Sequence, residues 1–182
     1  MLHIDIPSVE LYDEVNNEFK IRKGASIVME HSLLSLSKWE SKWHKPFLTD
    51  AEKSFEETID YYRCMTITQN VDPNVYYNIN GPISKQIDEY MSDSMTATTF
   101  NNLQRTGGKD SGSFITAEII YYWMISLGIP FECQKWHLNR LMTLIRVVSD
   151  KNAPAKKIPR EELLERQRRL NAERKAKLKT SG

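Results

Sequence analysis

The chain has 182 residues and a mass of 21.2 kDa, with 40% hydrophobic and 27% charged side chains, enough for one packed domain and a short appendage. Seven Gly and seven Pro exclude a collagenous or low-complexity chain, and two cysteines, Cys64 and Cys133, exclude a disulfide framework or a four-cysteine metal site. No apolar run nears the ~18 residues of a membrane span, and Met1–Pro7 has neither half of a signal peptide, so a soluble intracellular protein is expected.

The formal net charge of +1 hides a split. Lys151–Gly182 carries eleven Lys and Arg against four Glu, a net of +7, which leaves residues 1–150 at −6. This asymmetry, with Pro154 and Pro159 at the joint, predicts a globular domain over 1–150 and a basic helical arm, in part disordered, over 151–182.

In chain order, the first thirty residues read as extended. Glu10–Val15 and Glu18–Arg22 flank Asn16-Asn17, which tolerates the positive φ of a tight turn, and Gly24 precedes a third run, Ser26–Glu30. A small antiparallel β meander is expected, covered on one face by the helices that follow. Leu33, Leu36, Trp39 and Trp43 recur at helical spacing, with Lys38, Glu40 and Lys42 opposite and Pro46 as the stop. Thr49-Asp-Ala-Glu52 has the form of a capping box, opening a helix with Phe55, Ile59, Tyr62 and Met65 on one face. Thr66–Asn80 reads as a connection, Pro82–Met91 as a short helix, and Ser92–Ser113 as loop. Ile115–Leu127 is apolar almost all round and is expected to be a core helix. Gly128 fits its C-cap, and Pro130 the first turn of a helix reaching Val148, so an αα-hairpin is expected at the domain centre. The fold class is therefore α+β and mostly α: a meander over about 1–30, a helical part over about 31–150, and the arm. In the arm, Glu162–Arg166, Glu165–Arg169 and Glu173–Lys177 are i,i+4 pairs in the favourable order, while few leucines are left to bury.

Constellations with possible chemistry are sparse. Thr106-Gly-Gly-Lys-Asp-Ser-Gly112 resembles the SGGxDS phosphate loop of ATP pyrophosphatases, but no buried strand precedes it and too little chain follows. A surface loop over Gly107–Ser111 is the simpler reading. Cys133 and His137 are four apart, yet two groups make neither a metal site nor an oriented nucleophile. Glu56-Glu57 and Glu161-Glu162 read as solvated helix charges. No catalytic, cofactor or metal residues are assigned, and the chain is not expected to be an enzyme. Trp136 differs from the other tryptophans because polar residues surround it, which suits a docking edge. Past Lys151 there is no aromatic residue for base stacking, so nucleic-acid binding through the arm is the weakest binding reading.

Four runs carry a resemblance: Glu30–Trp43, Met95–Phe100, Leu170–Leu178 and above all Ile129-Pro-Phe-Glu-Cys-Gln-Lys-Trp-His-Leu-Asn-Arg-Leu-Met-Thr-Leu-Ile-Arg146. Together they resemble the tail assembly chaperones of long-tailed bacteriophages. The resemblance implies a non-enzymatic role in virion morphogenesis, in the host cytoplasm. Such a protein coats the tape-measure protein and then yields to major tail-tube protein subunits. It also implies that a longer, frameshifted form can accompany this one. Self-association stays open as a further contact, and no membrane partner is expected. A virion structural protein, such as a head–tail connector, is the alternative. For partner binding, Trp136, His137, Arg140, Arg166, Arg169 and Arg174 are the candidate residues.

Overall fold

The computed structural model describes residues 1–99, 114–153, 164, 165, 167–171, 173 and 174. The expected Gly107–Ser111 loop lies outside them. The chain divides into two units, Met1–Ser149 and Asp150–Gly182. The first is an α+β fold with an antiparallel β meander at the N-terminus followed by helices. In the second, the described residues are helical and exposed.

The meander has a strand more than the three expected. Strands β1 (Leu2–Ile6), β2 (Val9–Asp13), β3 (Glu18–Arg22) and β4 (Ala25–Met29) pair as β1–β4 and β2–β3, both antiparallel. Partner numbers add to 31 throughout both ladders, so the four strands are one long ribbon in a single register. Its interruption has a local cause. Pro7 has no N–H to donate, and a β-carbon at Gly24 would collide with the backbone of Ile6, Pro7 and Ser8. The Gly24 N–H instead donates to Ser8 Oγ (3.0 Å). At the tip, Asp13 accepts from the backbone N–H groups of Val15 and Asn16 and from Lys20 Nζ, and Asn17 takes the left-handed conformation (φ 54°). These bonds hold the Asp13 carboxyl at about 2, below the usual range, the Lys20 bond contributing most. Alternation buries Ile4, Ile6, Ile27 and Met29 against the helices, whereas Tyr12, Phe19 and Ile21 of the outer half stay exposed.

Helix α1 (Leu33–Trp43) gathers three helical elements: α2 (Phe55–Met65), α4 (Ala117–Ser126) and a 3-10 segment at Phe131–Lys135 all lie against it. It is capped by Ser32 in a reciprocal box with Ser35 and ends at His44 in the left-handed conformation. Its stripe Leu33, Leu36 and Trp39 is fully buried, and the Trp39 indole N–H donates to the Glu57 carbonyl (2.8 Å). A second 3-10 segment, Pro73–Asn78, buries Val75 and Tyr76 within the expected connection, and α3 (Gly81–Ser92) lies against β1.

Several expectations need correction. The capping box of α2 is Ser54–Glu57, not Thr49–Glu52, so Phe55 sits in the first turn and is 63% exposed instead of in the core. Glu57 is buried, accepting from the Ser54 N–H (2.7 Å) and Lys45 Nζ (2.5 Å), which hold its carboxyl below the usual range, Lys45 foremost. The Pro130–Val148 helix is broken: it becomes the 3-10 segment, an extended Trp136-His137, and α5 (Leu138–Asn152). The domain centre is thus α1, not an αα-hairpin of the last two helices. Gly128 (φ 66°) does end α4, with Ile129 N–H on the Met124 carbonyl (2.8 Å) and Gly128 N–H on Ile125 (3.2 Å), a Schellman motif.

Glu40, expected on the solvent side of α1, is also buried. One carboxylate oxygen accepts from the Phe47 N–H (2.8 Å) and the other from the Ala117 N–H (2.7 Å). Thr116 provides no side-chain cap to α4, so Glu40 caps that helix from a neighbouring one and adds negative charge at the positive end of its dipole.

Two stability measurements follow. Glu40→Ala leaves two buried amides unsatisfied and should cost about 2–4 kcal/mol in urea unfolding; Glu40→Gln keeps an acceptor for one of them and should cost less. Gly24→Ala should cost about 1–3 kcal/mol, because the added methyl meets backbone that has nowhere to go.

Candidate functional site

Between β4 and α1 the chain passes through three consecutive buried polar residues, Glu30, His31 and Ser32. Ser32 forms an antiparallel bridge with His137, and the Leu138 N–H donates to the His31 carbonyl (2.7 Å). This pairing of distant backbone is what breaks the helix expected from Pro130 and starts α5 afresh at Leu138. It joins the two longest runs of the family resemblance, Glu30–Trp43 and Ile129–Arg146, edge to edge.

Around the bridge the side chains form a connected polar knot. His137 Nε2–H donates to the Tyr90 carbonyl (3.0 Å) and its Nδ1 accepts from the Asn139 N–H (3.3 Å), which fixes a neutral ring and its tautomer. The Tyr90 hydroxyl donates to Glu30 (2.5 Å). Tyr61, kept protonated by burial, shares a hydrogen bond with His31 Nδ1 (2.6 Å). The two imidazoles meet edge to face at 5.3 Å between centroids. Burial, and then the neighbouring His137, push His31 down to about 4. Burial also lowers His137, against the opposing effects of the Tyr90 carbonyl, Glu30 and Asp93.

A cavity of about 350 Å³ opens beside this knot. Phe47, Leu48, Met91 and Leu138 supply its apolar lining, and His31, Asp88, Ser92 and Asn139 its polar groups. The polar lining is not connected as a nucleophilic triad. The Ser92 hydroxyl donates to the Glu89 carbonyl (3.0 Å), and His31 Nδ1 is held by Tyr61. Burial raises Asp88 above its ordinary carboxyl value. What the arrangement can do is accept an apolar side chain beside a carboxylate and an amide.

Trp136 and Arg140 are brought together at the start of α5. The guanidinium lies 4.3 Å from the Trp136 ring centroid, with Trp136 half-buried and Arg140 exposed. His137 turns the other way, because Trp136 is extended (φ −72°, ψ 162°) and neighbours in extended chain point to opposite sides. At 6% exposure, with both nitrogens engaged, it organises the site from below and offers no surface to a partner or a metal. Cys133 is buried in the 3-10 segment. Arg169 and Arg174 occupy exposed helical positions of the second unit, and Arg166 lies outside the described residues. Among the described residues no group of three or more His, Cys, Asp and Glu is placed to hold a metal ion, and no helix is long and apolar enough to cross a membrane.

The sequence held no hint of the cavity, because its walls come from the β4–α1 link, the α1–α2 link, the end of α3 and the start of α5. It also gave no hint of one surface that is visible only in three dimensions. Helix α4 buries Ala117, Ile120 and Met124 but leaves Tyr122 at 66% and Ile125 at 63% exposure. The uniform apolarity of that helix was the available signal, and it pointed to burial on every side.

The lowered His31 sets a pH dependence. An unfolded His titrates near 6.5, so between pH 6.5 and about 4 the unfolded chain binds a proton that the folded chain does not. Stability present above pH 6.5 is therefore lost as pH falls across that window, by about 3 kcal/mol in total. Urea titrations across this range should show that loss, and the His31 imidazole followed by NMR should protonate near pH 4; a midpoint at 6.5 would contradict the buried, Tyr61-bonded ring.

Compared with known proteins, the chain matches no protein-family model, no curated protein and no solved structure.

Proposed function

We propose that this chain is a tail assembly chaperone of long-tailed bacteriophages, acting by binding the tape-measure protein and helping to recruit tail-tube subunits in the host cytoplasm. The observation that carries the reading is the coincidence of resemblance and site. The runs Glu30–Trp43 and Ile129–Arg146, which carry the likeness, are joined at the Ser32–His137 bridge and supply Trp136, Arg140 and three residues that line the cavity: His31, Leu138 and Asn139. An apolar recess and a half-buried indole under an exposed guanidinium suit a partner helix that offers one side chain to the recess or lays its flank on the indole. Such a contact is small and exchangeable, as a chaperone that must later yield to tube subunits requires.

A tagged pull-down from nuclease-treated, phage-producing cells, read by mass spectrometry, should recover the tape-measure and tail-tube proteins. Recovery of portal or head-completion proteins instead would replace this reading with the connector alternative. Arg140→Glu, on an exposed side chain, should weaken tape-measure binding by about tenfold or more while leaving the thermal melt unchanged, and Trp136→Ala should do the same at some cost in stability.

A further inference from the structure

We infer that the exposed face of α4 is a self-association surface, and that a second copy of this chain, packed antiparallel about a two-fold axis at Tyr122, is what covers it. The inference stands apart from the tail-assembly reading and shares with its runs only Phe131. Tyr122 and Ile125 face solvent on α4, Phe114 (62% exposed) and Ile115 (37%) lead into the helix, and Phe131 (53%) follows it with its ring 6.3 Å from that of Tyr121.

Area argues for an occupant. Three aromatic and two isoleucine side chains at these exposures leave on the order of 500 Å² of apolar surface, near the upper end for a patch on a monomer. Two such faces together remove about 1,000 Å² from water, the minimum for a specific interface, and a weak one.

Charge argues for a copy of the same chain. The charged residue of α4 is Glu118, one turn before Tyr122, and Ser126 lies one turn after it. An antiparallel pairing centred on Tyr122 sets each Glu118 against the Ser126 hydroxyl of the other copy. It also holds the two Glu118 carboxylates about 12 Å apart along the axis, beyond the ~8 Å screening length at physiological salt. A parallel pairing would set the two carboxylates face to face. The symmetric arrangement is therefore self-complementary and closes at two copies.

Sedimentation velocity on the full chain, from low-micromolar to millimolar concentration, tests it. The wild type should pass from monomer to dimer with a dissociation constant on the order of 10–100 μM. Tyr122→Asp and Ile125→Asp, both at solvent-facing positions, should each weaken dimerisation at least tenfold with an unchanged circular-dichroism melt. Tyr122→Cys should give a disulfide-linked dimer on mild oxidation, which the wild type, with Cys64 half-buried and Cys133 buried, should not. A chain that stays monomeric throughout would overturn the proposal. So would a dimer indifferent to both aspartates, or one dissociated instead by Phe19→Asp on the outer ribbon.

Discussion

The pairing of His31-Ser32 with His137-Leu138 is the contact on which the first unit turns. It is made of backbone, so it specifies a register and not merely a proximity, and it joins segments more than a hundred residues apart. From it the polar knot follows. Glu30, His31 and Ser32 cannot reach water once the two segments meet, and each finds a partner among tyrosine hydroxyls, backbone amides and the neighbouring imidazole. Buried polar groups are tolerated on that condition alone. The cavity is the space left where α3, α5 and the β4–α1 and α1–α2 links approach one another without closing.

Buried carboxylates extend the same logic to the helices. Glu40 holds the first amide of α4 and the amide of Phe47, Glu57 closes the cap of α2, and Asp60 accepts from the Trp43 indole (2.9 Å) and from Lys42. Each ties an acid to a donor on another element, or to the orphan amides at a helix start, where negative charge is favoured. Phe47, whose amide Glu40 fixes, stacks on Tyr61 (3.9 Å between centroids) and meets Trp39 edge-on (5.0 Å). Position and packing are set together, so α1 is anchored both by its apolar stripe and by the acid on its flank.

What remains outside this framework is where interaction is to be sought. The recess lined by Phe47, Leu48, Met91 and Leu138 beside His31, Asp88, Ser92 and Asn139 is small and mixed in character. The outer face of α4 is broader and almost purely apolar, suited to a like surface. The two surfaces differ in chemistry because one is framed by buried polar groups and the other by an apolar helix.

The local features were legible in the sequence. Helical spacing located α1, α3 and α4, Gly128 marked the end of α4, and alternation marked the extended N-terminal part, because each depends on residues within a turn or two of one another. The first strand escaped notice, since Leu2–Ile6 gains its meaning only from β4. The same holds for the site: the polar neighbours of Trp136 were readable as a docking edge, but the inward turn of His137 was not. Nor was the burial of Glu40, whose partner Ala117 lies 77 residues away. The sequence by itself determined which segments form strands and helices and which stripes are apolar enough to bury. Only the tertiary structure decided which acids and histidines go inside, where the last helix breaks and which side of α4 is left bare, because those outcomes rest on hydrogen bonds and packing supplied by distant parts of the chain.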